Sequence, residues 1–161
     1  MKLYIQTDIE GVAGFCYREN RVSRDYEVIR HRYRMYKLLT AEVNAAVRAS
    51  FDSGADEVIV NDNHGSGYNI LFEELDPRCR IIHGRNCSGP HWLPKLDSTF
   101  DGIVLIGMHA MGGTPGAIIP HSKWEMIALG VAPIACIPIR SMASKLESSS
   151  GIQWGPLQLR P

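Results

Sequence analysis

An apolar stripe set between short β-branched runs constrains this chain more than any other feature. Ile29, Tyr33, Tyr36, Val43, Val47 and Phe51 recur at three- and four-residue steps, one of them doubled. That spacing marks one buried face of a helix. Ser23 is placed to cap this helix, Asp25 is favourable in its first turn, and Gly54 stops it. Before the helix, Lys2 to Thr7 reads as a strand; after it, Glu57 to Asn61 is a run of the buried-strand type. A short helix over about Asn69 to Leu75 leads to a third strand, Arg80 to His83, and Gly102 to Gly107 is a fourth. Strands alternating with helices predict an α/β fold, with a mostly parallel sheet, flanking helices and three layers.

The chain has 161 residues, 45% of them hydrophobic and 21% charged, which suits one domain with an ordinary core. We read residues 1–140 as that domain. Residues 141–161, with Ser148-Ser149-Ser150-Gly151, are expected to form a loosely ordered tail. Seventeen basic and seventeen acidic residues cancel, so nothing in the charge points to nucleic acid or an anionic membrane as partner. The longest apolar stretch, Met126 to Ile139, is broken by Pro133 and Pro138 and falls short of a membrane span. Asp8 and Glu10 arrive before any apolar leader forms, so a cytoplasmic location is expected. The four cysteines, at 16, 79, 87 and 136, contain no C-x-x-C pair. Reduced, buried thiols are expected rather than a zinc knuckle or disulfides.

Three of the four strand ends deliver a metal-ligating side chain. Asp8 and Glu10 follow the first, His64 the second and His109 the fourth. In a parallel sheet the carboxyl ends of the strands share one edge, where ligands bind, so residues a hundred positions apart converge there. Asp8-Ile9-Glu10 places two carboxylates on one side if the chain stays extended, and such a pair repels unless a cation or proton intervenes. Two histidines and two carboxylates at one edge form a ligand set that zinc accepts. Asp62 is read as orienting His64 or holding the turn. His121 follows the glycine-rich loop 112–116, which folds back toward the same edge, and it suits a base, acid or nucleophile beside a metal. His31, His83 and His91 carry no supporting motif. Gly65-Ser66-Gly67 lacks the third glycine of a dinucleotide fingerprint, and neither a Walker loop nor a G-x-S-x-G elbow occurs.

Asp8-Ile9-Glu10-Gly11-Val12-Ala13-Gly14, Val60-Asn61-Asp62-Asn63-His64, Ile106-Gly107-Met108-His109-Ala110, Thr114-Pro115-Gly116 and Pro120-His121-Ser122 stand in that order. Together they resemble the zinc-dependent D-aminopeptidase family over about residues 1 to 122. The resemblance implies two zinc ions per subunit. Asp8 would bridge them, Glu10 and His64 would complete one ion, and His109 would bind the other. It implies His121 as the catalytic histidine. It further implies short peptides with N-terminal D-residues as substrates, and a homo-oligomeric ring of ten subunits with sites facing an inner channel.

The chain also departs from the family. Family members are longer and carry a later glutamate ligand in a Val-Gly-Glu segment. Here Glu125 and Glu147 are the only glutamates after His121, and neither sits in that pattern. An incomplete member that binds metal without turnover is therefore the alternative. A magnesium-dependent phosphohydrolase built on Asp8 and Glu10 is a third reading. It is disfavoured because no strand end supplies a lysine or arginine.

Overall fold

The computed structural model describes residues 1–15, 22–84, 93–121 and 136–138. The expected tail, residues 141–161, lies outside them, as do His91, Cys16 and Cys87. Five strands form one sheet in the order β3-β2-β1-β4-β5. They are β1 (Lys2–Thr7), β2 (Glu57–Asp62), β3 (Arg80–Ile82), β4 (Gly102–Ile106) and β5 (Cys136–Pro138). The first four run parallel and β5 pairs antiparallel to β4, so the sheet is mostly parallel, as the alternation predicted. The central strand β1 is buried from Leu3 to Thr7 on both faces, the polar Gln6 and Thr7 included.

Alternation along β1 splits the core in two. Leu3 and Ile5 face one helix, α1 (Tyr26–Asp52), and pack with its Leu39, Val43 and Val47. Tyr4 faces the other way, against Phe100, Ile103 and Leu105, with Leu93 and Leu96 beside them. Among the described residues the helical layer covers one face, and residues 93–100 cover the other.

Two details of α1 depart from the sequence reading. Its N-cap is Asp25, whose carboxylate accepts from the Glu27 and Val28 amides, while the Ser23 hydroxyl accepts from the Asp25 amide one step earlier. The buried face is Met35, Leu39, Thr40, Val43, Val47 and Ser50; Ile29 and Tyr33 are exposed. Thr40 and Ser50 are tolerated in the core because each hydroxyl donates to the carbonyl four residues back. The expected helix over Asn69 to Leu75 shrinks to a 3-10 turn, Phe72–Glu74.

The loops after β1 and β4 lock together where they leave the sheet. The Asp8 amide donates to Ile106 and the Gly11 amide donates to Gly107. No side chain fits between them: a Cβ at position 11 would collide with the Met108 carbonyl, and one at position 107 with the Asp8 carbonyl. Gly107 also sits at φ 66°, which disfavours any other residue. Gly11→Ala is therefore expected to destabilise the fold by about 1–3 kcal/mol or more, as forced overpacking does. Urea denaturation checks this; an unchanged midpoint would refute the interlock.

Cys79 is half-buried, and burial followed by the nearby Asp76 charge pushes its thiol up to about 11. Thiolate is the reactive form, so alkylation at pH 8 should run more than roughly 100-fold slower than at an ordinary cysteine. The rate should climb as pH approaches 11. Iodoacetamide labelling with peptide mapping measures it, and labelling at the ordinary rate would contradict the burial.

Candidate metal centre

β1, β2 and β4 are parallel neighbours, so their carboxyl ends open onto one edge. Asp8 follows β1 directly, held there by its amide bond to Ile106. His64 lies two residues past β2 and His109 three past β4. His121 returns from the glycine loop and donates its backbone amide to Ala110, which sets it beside His109. The structure thus brings together all five residues singled out in the sequence.

Their ligand atoms fall into two groups that share one member. Asp8, Glu10 and His64 each place a donor atom within 4.8 Å of the others, and so do Asp8, His109 and His121. Asp8 divides its two oxygens between them. Oδ1 lies 2.7 Å from His64 Nδ1, which is also 3.1 Å from Glu10 Oε2. Oδ2 lies 3.6 Å from His109 Nε2. Asp8, His64 and His109 are all nearly inaccessible, at 6%, 6% and 5% exposed, so these are not solvated charges.

Backbone carbonyls fix the two remaining histidines. His109 Nδ1 is 2.9 Å from the Ala110 carbonyl, and His121 Nδ1 is 3.0 Å from the Ile119 carbonyl. A carbonyl only accepts, so each Nδ1 carries the hydrogen and each Nε2 keeps its lone pair when the ring is neutral. This is the usual way a metal-binding imidazole is oriented. The two rings stack, with centroids 3.4 Å apart and planes 20° from parallel.

The carboxylates are unequal. Burial pushes the Asp8 carboxyl up and Glu10 adds to the rise, against the opposing hydrogen bond from His64. For Glu10 burial also works against ionisation, but the hydrogen bonds with His64 and Asp8 outweigh it and hold the carboxyl well below its usual range. Burying two carboxylates this close is costly without a cation between them. His109 Nε2 is buried and has no hydrogen-bond partner among the described residues, so its lone pair is available to a cation. Carboxylate oxygens and imidazole nitrogens converging in a buried site fit a divalent zinc ion.

The D-aminopeptidase family model matches residues 1–131. The chain belongs to the D-aminopeptidase family. A D-aminopeptidase from Bacillus subtilis (strain 168) is 36% identical over 124 residues, covering 76% of this chain and 42% of the relative. The solved structure of the Zn-dependent D-aminopeptidase DppA from Bacillus subtilis, a self-compartmentalizing protease, matches with a TM-score of 0.64 at 35% identity. That match covers 76% of this chain and 43% of the other. The chain therefore spans about two fifths of the length of these D-aminopeptidases.

Behind His64, sequence reasoning found Asp62 but passed over Asn69 and His83. Asp62 is fully buried, and its carboxylate accepts from the Asn69 amide, the Asn69 side chain and the Ile70 amide, all within 2.8 Å. It holds the turn, one of the two roles read for it. His83, which no motif supported, puts Nε2 3.4 Å from Asp62 Oδ2 and packs against Tyr68 and Phe72. The Asn69 and Ile70 amides are taken by this carboxylate, and the 3-10 turn begins two residues later.

Proposed function

We propose that this chain carries the catalytic centre of a zinc-dependent aminopeptidase that releases N-terminal D-residues from short peptides. The observation that supports it most is the position of Asp8, one oxygen toward each of two ligand groups. In this reading each subunit would hold two zinc ions, with Asp8, Glu10 and His64 as the residues that would hold one and Asp8 and His109 those that would hold the other.

Zinc at this site supplies Lewis-acid polarisation of the scissile carbonyl. The chain's own residues do the rest. Asp8 and Glu10 provide the negative charge that retains the cations, and burial keeps that charge from being screened. His121 keeps Nε2 free, because Nδ1 is committed to Ile119, so it serves as the base during attack and returns the proton to the leaving amine. The self-compartmentalizing character of the Bacillus subtilis protease supports a homo-oligomer for this chain as well. The ring of ten belongs to the same reading.

Hydrolysis of D-alanine p-nitroanilide by the full chain tests the proposal, alongside zinc content by elemental analysis. Activity should stop with a chelator, return with zinc and accompany close to two zinc ions per chain. Hydrolysis that persists in chelator, or zinc uptake with no hydrolysis, would overturn the enzymatic reading.

A further inference from the structure

Asn69 stands outside the ligand set, yet it touches a ligand's backbone. Its side-chain amide has two hydrogens and both are used. One goes to Asp62 Oδ1 at 2.7 Å, the other to the His64 carbonyl at 2.6 Å. The same carbonyl also accepts from the Gly67 amide at 2.9 Å. Asn69 is 2% exposed, so water does not replace these bonds.

The Asn69 backbone is fixed independently, because its own amide and that of Ile70 are bound to Asp62 Oδ2. Asp62 in turn is the last residue of β2. The chain thus closes a small ring, from the strand end through the Asp62 carboxylate to Asn69 and back to the His64 carbonyl. Inside that ring the peptide following His64 has one orientation. The imidazole, on the same Cα, is then aimed at Asp8 and Glu10.

We propose that Asn69 is a positioning residue for His64. It sets the direction of the imidazole toward the metal through the His64 carbonyl, without touching the ion. The inference rests on the metal reading above. It adds a role for a residue that neither ligates nor reacts. Groups that orient a metal ligand from behind typically contribute about 10- to 100-fold in affinity.

The test uses the full chain and metal alone. Asn69→Ala leaves both backbone amides on Asp62 in place and removes only the side-chain bonds. Zinc affinity is measured by competition with a chromophoric chelator, the visible absorption of the cobalt-loaded protein at saturation is recorded, and the metal-free melting temperature is followed. The expected result is a zinc affinity about 10- to 100-fold weaker, with a changed cobalt spectrum at saturation. Unchanged affinity would overturn the proposal. So would weaker affinity with an unchanged saturated spectrum and a lower melting temperature, since that is a stability effect. Should the alanine chain fail to fold, Asn69→Ser makes the same comparison, because its single hydroxyl hydrogen cannot make both bonds. A wild-type chain that takes up no zinc is a different outcome; it overturns the metal reading and this role with it.

Discussion

An Asp8→Asn chain is expected to lose both metals while folding at least as well as the metal-free wild type. The loss follows from the shared position of Asp8, which faces His64 with one oxygen and His109 with the other. Removing its charge weakens both groups together. Because merely orienting a ligand is worth about 10- to 100-fold, loss of this carboxylate should exceed about 100-fold. The stability half follows from the sign of its shift. Burial raises the folded-state pKa above the unfolded value, so this group's contribution is intact at low pH and is lost as pH rises through the folded value. At neutral pH an ionised Asp8 therefore works against the metal-free fold. Asparagine removes that charge and keeps an oxygen for the Ile9 amide, which Asp8 Oδ1 accepts in the wild type. Zinc at about 100 times its Kd stabilises a binding protein by about 2.7 kcal/mol. Wild type should show such a rise in melting temperature on adding zinc, and Asp8→Asn should show none. A zinc-dependent rise retained in the variant would remove Asp8 from the centre.

The convergence of the candidate ligands was readable because it depends on topology and not on fine geometry. Parallel strands open onto a common edge, which was enough to bring Asp8, His64 and His109 to one side, while the adjacency of β1 to both β2 and β4 came only from the structure. The helix face was less legible. A periodicity argument treats a helix as buried along its whole length, but the first turns of α1 leave Tyr26, Ile29 and Tyr33 exposed. Hydropathy also passes over Thr40, which belongs to the core because its hydroxyl donates to Tyr36 and accepts from the Leu71 amide. Asn69 and His83 were illegible for a different reason. Their place comes from the buried Asp62 carboxylate, distant in sequence from His83, and no spacing rule connects a side chain to another residue's carboxylate or carbonyl.

His121→Ala is expected to keep its zinc and lose turnover by about 100- to 10,000-fold, the range of general acid–base catalysis. The position survives the substitution because the backbone holds it, through the His121 amide on the Ala110 carbonyl. The fold therefore does not depend on the imidazole. The ring does lie close enough to Asp8 and His109 to act as a ligand, so geometry alone permits two roles. Composition of the site favours the catalytic one. Asp8, Glu10 and His64 complete one group without it, and the stacked His109 already offers a free, buried Nε2 toward Asp8. His121 is the more exposed of the two rings, as a group that exchanges protons with substrate and water must be. Elemental analysis beside D-alanine p-nitroanilide kinetics separates the roles, with His64→Ala as the ligand control expected to lose zinc. If His121→Ala loses metal in step with His64→Ala, the ring is a ligand and the proton must be carried by another group.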